Sequence, residues 1–504
     1  MPCNMAHKRF RLNRTISMSE EVLVSVLNNE TRVGVVSKGL LQEVFLERYN
    51  SMGTVGNVYK GKVKRILPGM QSAFVDIGQL RSAFMHVSDL INGHEVFESE
   101  PASSAKVITD LLRDGQELLV QVTKEPINNK GARITSNLSI ASRFLVFLPN
   151  SSHVGISQKI DDDIERNRLH DIVVDFSKEG EGFIVRTAAE GVSCEEIVKD
   201  AGYLREQWKS IQEIAASASS GSLVYEDLPL PLRVMRDIIN SETTSILVDD
   251  EETYEILSRF LSSYIPEKKA CLSMYDRDRV LFDRYQLDDQ IQAALERNVP
   301  LKSGGHLTID QTEAMTTIDV NTGAFVGRKD LEETIYRTNM EASVAIPRQL
   351  RLRNLGGIII IDYIDMLDQE HKRQVLRILE KGLINDRVKC NVTQISELGL
   401  VEMTRKRTRG SLLKAICEPC EFCEGRGFIK SAESVCLEIF KDLRRSSRKL
   451  AGKDCLILAS QSVVDRLIDD QAGNIRSCAE IFEVRISFQV EPSYSQEQYD
   501  LVIS

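Results

Sequence analysis

Ile358-Ile359-Ile360-Ile361-Asp362-Tyr363-Ile364-Asp365 reads as a strand buried on both faces, bounded by Gly356-Gly357 and stopping at a carboxylate. Ile318-Asp319-Val320-Asn321 ends a second apolar strand in the same way. An apolar strand that ends in Asp carries a carboxylate to the edge of a sheet, where ligands commonly bind. If the two strands are neighbours, Asp319 and Asp362 meet. Two carboxylates ~4 Å apart repel by ~4 kcal/mol at an effective dielectric of ~20. A shared proton, an arginine or a divalent cation must offset that, and ligands made only of oxygen suit Mg2+, which keeps several waters. The plain alternative is that each Asp caps the turn after its strand. Asp365 has the same two readings, a carboxylate supporting the site or a helix N-cap.

Outward from these strands, residues 305–321 read as strands. Asp330 starts a long helical pattern with capping-box spacing to Glu333 and an apolar face at Leu331, Ile335, Ala342 and Ile346. Pro347 falls inside it, which predicts a kink or break. Toward the N-terminus, residues 20–48 alternate apolar and polar positions as hairpin strands do. Residues 55–90 read as a small barrel, and strands continue through 110–148. Residues 160–200 look α/β, with Gly182–Thr187 as one strand; 196–216 is helical, Ser217–Ser222 a loop, and helices dominate from 230 to about 300.

The barrel stretch runs Val55-Gly56-Asn57-Val58-Tyr59-Lys60-Gly61-Lys62-Val63, then Pro68-Gly69-Met70-Gln71-Ser72-Ala73-Phe74-Val75-Asp76-Ile77-Gly78, with Phe84 and His86 following. Aromatics interleaved with cations on short strands can stack bases and counter a backbone. Phe74 and Phe84 could equally be core residues.

The 504 residues suffice for about three or four domains, and 42% hydrophobic with 27% charged residues suits a globular chain. No apolar run approaches the ~18 residues of a membrane span, and Met1–Ser17 is basic but lacks the apolar core of a secretory signal. A net charge of −10 argues against a polyanion partner unless cations are clustered. Three clusters qualify: Arg405, Lys406, Arg407, Arg409 and Lys414; Arg348, Arg351 and Arg353; and Lys60, Lys62, Lys64 and Arg65. Any one of them could be a solvated face.

Of ten cysteines, three are grouped: Cys417, Cys420 and Cys423. A structural zinc takes four ligands, mostly thiolate or imidazole; one chain offers at most three here, so a second subunit would have to complete the set. The scattered remainder suits reduced thiols in a cytosol. Arg186-Thr187 after a strand could grip a terminal phosphate through a guanidinium fork and a hydroxyl, or Arg186 could form a surface ion pair.

The strings Thr317–Phe325 and Arg348–Met366 resemble the catalytic region of the ribonuclease E/G family, and the barrel string resembles the S-one type RNA-binding barrel found in it. The similarity runs from about residue 20 to the C-terminus. It implies an α/β multidomain chain: a basic extension at 1–17, an RNase H-like subdomain from 18–52 and 232–294, and an OB-fold RNA-binding barrel at 53–136. A 5′-sensor subdomain follows at 137–231, a DNase I-like catalytic subdomain at 295–416, a zinc link at 417–430 and a small C-terminal dimerisation domain at 431–504. It implies that Asp319 and Asp362 hold Mg2+ and that Asn321 orients the site. Phe74, Phe84 and Lys130 would contact RNA. Arg186 and Thr187 would read a 5′-monophosphate, with Val146 against the terminal nucleotide, and Lys389 stands where a relative has arginine. Cys420 and Cys423 would share one Zn2+ with a second subunit, Cys417 being a further candidate ligand.

The expected activity is Mg2+-dependent endonucleolytic hydrolysis of single-stranded, A/U-rich RNA. It would leave 5′-phosphate and 3′-hydroxyl ends, favour 5′-monophosphorylated substrates, and serve ribosomal RNA 5′-end processing and mRNA decay in the cytoplasm. A homodimer or a dimer of dimers is expected. The chain stops soon after the small terminal domain, without the long scaffold of E-type members, so a G-type organisation is expected. The alternative is a non-catalytic RNA-binding protein with a structural zinc. A metal-dependent phosphotransferase lacks its phosphate-binding glycine loop.

Overall fold

The computed structural model describes residues 19–48, 53–90, 107–126, 131–160, 162–275, 280–323, 331–384, 386–396, 398–446, 453–469, 471–482 and 485–503. The basic extension, Lys130 and Asp330 lie outside the described residues. The chain forms two compact units, one ending at Ala415 and one beginning at Ile416. Among the described residues no helix is long and apolar enough to cross a membrane.

The first unit begins with the antiparallel meander that the alternation predicts: Glu20–Leu27, Glu30–Ser37 and Leu40–Arg48. Thr243–Val248 and Leu272–Met274 extend it in parallel beside Glu20–Leu27. The sequence reading expected mainly helix in that later stretch. Thr243-Thr244-Ser245 carries no apolar run, and the strand exists because a distant partner completes its ladder. Helices Leu230–Asp237 and Glu251–Tyr264 supply Val234, Met235, Leu257 and Leu261 to the core on this sheet.

Five strands close into a barrel: Val58–Leu67, Ser72–Asp76, Ala83–His86, Arg133–Thr135 and Glu117–Lys124, the last pairing back onto the first. Val63, Val75, Met85, Val120 and Ile134 fill it. A four-stranded sheet follows, ordered Val154–Ile156, Glu181–Val185, Leu145–Pro149, Ile140–Ala141. Helices Asp163–Phe176 and Cys194–Ser217 pack on it over Phe147, Phe183, Leu169 and Leu204. The latter starts at the Ser193–Glu196 capping box.

The fourth sheet of this unit is six-stranded, ordered Asn298–Pro300, His306–Gln311, Met315–Asn321, Gly357–Asp362, Leu400–Arg405, Cys390–Ile395. Met315–Asn321 and Gly357–Asp362 run parallel at its centre; the other pairs are antiparallel. Helices Leu331–Leu352 and Gln369–Ile384 bring Ile346, Leu350, Val375 and Leu379 into one core with Ile318, Ile359, Ile361 and Val401. Two expectations change here. Leu331–Leu352 runs unbroken through Pro347. The ring packs against the neighbouring helix at Gly382, where a Cβ would come within 2.7 Å of Pro347 Cγ. The isoleucine run is also not buried throughout: Ile359 and Ile361 are 0% exposed, but Ile358 is 48% exposed. The helices cover only one face, and the other stays open.

In the second unit Asp454–Ala459 is the centre of a three-stranded sheet, parallel to Arg485–Val490 and antiparallel to Tyr499–Ile503. Helices Ala432–Arg445 and Gln461–Asp469 bury Val435, Ile439, Leu443, Val463 and Leu467 against Cys455 and Ile457.

Candidate active site

The open face of the six-stranded sheet follows from strand alternation. In Met315–Asn321, Thr316, Ile318 and Val320 are buried, so Thr317, Asp319 and Asn321 face away from the helices. In Gly357–Asp362 the same alternation turns Ile358, Ile360 and Asp362 outward. Asp319 and Asp362 are cross-strand partners in register. The carboxylates thus stand on the open face of the two central strands rather than at the margin of the sheet.

Asn321 Nδ2 donates to Asp319 Oδ2 at 2.7 Å, which fixes that carboxylate. Burial, then the charges of Asp319 and Asp365, push the Asp362 carboxyl above its ordinary 3.8. Asp365, exposed just beyond the strand, therefore joins the group electrostatically. Thr308 lies opposite Asp319, and His306 opposite Asn321, on the same face. Among the described residues no lysine, arginine or histidine forms an ion pair with Asp319 or Asp362. Nor does any set of three His, Cys, Asp or Glu there form a protein-only metal cage. An all-oxygen carboxylate pair without a basic partner fits a cation that brings most of its own ligands as water, as Mg2+ does.

On the barrel, Phe74 and Phe84 are cross-strand neighbours, with ring centroids 6.1 Å apart at 67°. Both are half-buried and alternate with the buried Ala73, Val75, Ala83 and Met85, so they line the outer wall. Arg65 pairs in register with Phe74 and Arg133 with Phe84, giving a row of cation, two rings and cation across four strands. Lys62, Lys64 and Arg65 are exposed. Lys60 turns inward and donates to Ala215 O and Ala218 O at 3.2 and 2.9 Å.

In the other two basic clusters the arginines have partners within the chain, whereas Lys406 and Lys414 are exposed. Arg405 is buried in a bidentate pair with Asp386, at 2.9 and 3.1 Å. Arg409 lies 3.9 Å over the Phe45 ring and donates to Val44 O. Arg348 donates to Leu41 O, Arg351 to Gln42 Oε1, and Arg353 is buried. Leu40–Arg48 is an edge strand. Guanidinium groups bond its outward carbonyls, which a buried edge needs. Arg407 donates to Gly356 O. Gly357 has a φ of 97°, and a Cβ there would meet the Arg407 guanidinium at 2.6 Å, so glycine is required.

The candidate 5′-end residues lie at one end of the four-stranded sheet. Val146 is opposite Ile184, and Arg186 and Thr187 directly follow Glu181–Val185. The Arg186 guanidinium already has internal partners, Ser142 O and Asp237 Oδ1, both at 2.6 Å. The Thr187 hydroxyl bonds that of Ser157 at 2.9 Å. Lys389 Nζ donates to Gln158 Oε1 at 3.4 Å, beside that segment.

In the second unit the nearby backbone amides of Gly427 and Gly425, and then Cys420, hold the Cys423 thiol below its ordinary 9.0. Glu424, Gly425 and Gly427 all take left-handed backbone conformations in this turn. Two adjacent sulfurs, one favoured as thiolate, fit half of a tetrahedral zinc site. Cys417 does not complete a three-ligand set with them. Arg426 anchors the turn through two bonds to Glu497, at 3.2 and 2.8 Å. The sequence reading missed Asn339, Ser343 and Glu332, whose only signal is polar residues at helical spacing on a helix that must also bury an apolar face.

A family model described as the Ribonuclease E/G family matches residues 139–408. A second, described as RNase E/G, Thioredoxin-like domain, matches 419–503. The chain is 47% identical over 488 residues to ribonuclease G of Escherichia coli (strain K12), covering 96% of this chain and 100% of that protein. It is 45% identical over 486 residues to ribonuclease G of Haemophilus influenzae, covering 96% and 99%. To ribonuclease E of E. coli it is 33% identical over 464 residues, 91% of this chain but 43% of that longer protein. The chain belongs to the ribonuclease E/G family of endoribonucleases.

Proposed function

We propose that this chain is a Mg2+-dependent endoribonuclease that cuts single-stranded, A/U-rich RNA by hydrolysis, leaving 5′-phosphate and 3′-hydroxyl ends. The observation that carries this is the in-register Asp319–Asp362 pair on an open sheet face, with Asn321 fixing one carboxylate and no basic side chain paired to either among the described residues. Asp319 and Asp362 would hold the cation. When bound, Mg2+ supplies Lewis-acid stabilisation of phosphate charge and a more acidic water. The residues around it bind and orient the strand. Phe74 and Phe84 offer ring faces to successive bases irrespective of sequence, and Arg65 and Arg133 border them. In this reading the barrel is an OB-fold of S-one type, the six-stranded layer is DNase I-like and the N-terminal sheet RNase H-like.

Arg186, Thr187 and Val146 form the 5′-monophosphate sensor. A guanidinium oriented by Asp237 and Ser142 O is preorganised for a terminal phosphate. Cys420 and Cys423 supply two thiolates, and the same pair from a second copy completes a Zn2+ site. The exposed Phe422 and Phe428 beside them support an interface there. Zinc content and sedimentation of Cys420→Ser test that part. The substrates are precursor ribosomal RNA and mRNA in the cytoplasm. The test of the activity is incubation of an internally labelled single-stranded oligoribonucleotide with Mg2+ and mapping of the product ends. Internal cuts bearing 5′-phosphate and 3′-hydroxyl support the proposal; 2′,3′-cyclic phosphate ends or purely terminal trimming refute it.

A further inference from the structure

The Gly357–Asp362 ladder ends at Asp362, and Tyr363 to Asp368 leave the sheet without strand partners. Their backbone groups must be satisfied elsewhere. One face of helix Leu331–Leu352 does this. Asn339, 0% exposed, donates from Nδ2 to Ile364 O at 2.8 Å and accepts from Ile364 N at Oδ1 at 3.2 Å. Its amide thus bonds both backbone groups of one residue, as a strand neighbour would. Ser343 Oγ bonds the Tyr363 hydroxyl at 2.7 Å. Glu332 Oε1 accepts from Leu367 N and Asp368 N at 3.0 and 3.3 Å. Positions 332, 339 and 343 share a helix face by their spacing.

We propose that Asn339 is a positioning residue of the active site: by gripping Ile364 it holds Asp362 and Asp365, on either side, in place beside Asp319. This rests on the reading of Asp319 and Asp362 as the cation-holding pair. Asn339 itself touches neither cation nor RNA. It sets where the carboxylates stand, and partners behind a metal ligand commonly control affinity this way.

Mn2+ binding to the whole chain, followed by loss of the free-ion EPR signal, tests this without RNA. Asn339→Ala is expected to weaken Mn2+ binding about ten-fold. Glu332→Ala, at a partly exposed position that leaves the core intact, weakens it by a smaller factor. Leu379→Ala truncates a core side chain of the neighbouring helix; it lowers thermal stability but leaves Mn2+ binding at the wild-type value. Unchanged binding in Asn339→Ala, or equal weakening in Leu379→Ala, overturns the proposal. Asp362→Asn separates the two levels. Wild-type Mn2+ binding there overturns the reading of the carboxylate pair, and the positioning role with it. Loss there with unchanged binding in the Asn339 variant overturns the positioning role alone.

Discussion

Asp319 and Asp362 are the last matched pair of the parallel ladder between Met315–Asn321 and Gly357–Asp362. Their charges oppose each other in the cation-free protein. With divalent ions chelated, Asp362→Asn should therefore melt no lower than wild type, and slightly higher. Both side chains reach solvent, so screening keeps the gain below about 1 kcal/mol. Added Mg2+ should raise the melting temperature of the wild type but not of the variant. Equal Mg2+ shifts in thermal melts of the two proteins would contradict this.

Arg405 and Asp386 have side chains only 4% and 1% exposed. Breaking such a pair strands a buried charge, so Arg405→Ala should cost about 3–5 kcal/mol in a denaturant titration. Its loss should appear as instability, not as weaker salt dependence of RNA binding. Stability at the wild-type level would contradict the structural assignment.

Phe74 and Phe84 sit on the outer wall of the barrel, so their loss should spare its core. Phe74→Ala and Phe84→Ala should each weaken binding of a single-stranded oligonucleotide by about 1–3 kcal/mol, with thermal stability near wild type. Fluorescence anisotropy beside a melt distinguishes this from the core reading, which predicts the reverse.

Asp237 tests the support of Arg186. Burial alone would raise its pKa, but hydrogen bonds and charge from Arg236 and then Arg186 outweigh burial and hold it below 3.8. A carboxyl depressed in the folded state stabilises the fold above its unfolded pKa, and the stabilisation disappears as pH falls through the folded value. Asp237→Asn should therefore be less stable than wild type at neutral pH, with the gap closing as pH drops below 3.8. A pH-independent gap in denaturant titrations would contradict the ionic account.

Much of this was legible in the chain. The apolar strands that carry Asp319 and Asp362 near their ends announced the carboxylates, and alternation announced the N-terminal meander. Four things were not legible. Ile358–Ile361 reads as buried because periodicity does not report that helices cover one face only. The Thr243–Val248 strand depends on a partner more than two hundred residues earlier, Glu20–Leu27. The arginines at 348–353 and 405–409 look like a surface patch in sequence, yet Arg348, Arg351 and Arg409 bond the edge strand Leu40–Arg48, and Arg405 pairs with Asp386. Asn339 was invisible for the same reason: its partner, the Ile364 backbone, is defined only once the helix packs on the sheet.

The most direct measurement compares cleavage and binding in Asp319→Asn and Asp362→Asn on one 5′-monophosphorylated single-stranded RNA with saturating Mg2+. The account predicts that each variant loses cleavage by at least about a hundred-fold, on the scale of a group that stabilises the transition state, while RNA affinity stays at the wild-type value. Undiminished cleavage by either variant, or a loss of cleavage matched by an equal loss of binding, would contradict it.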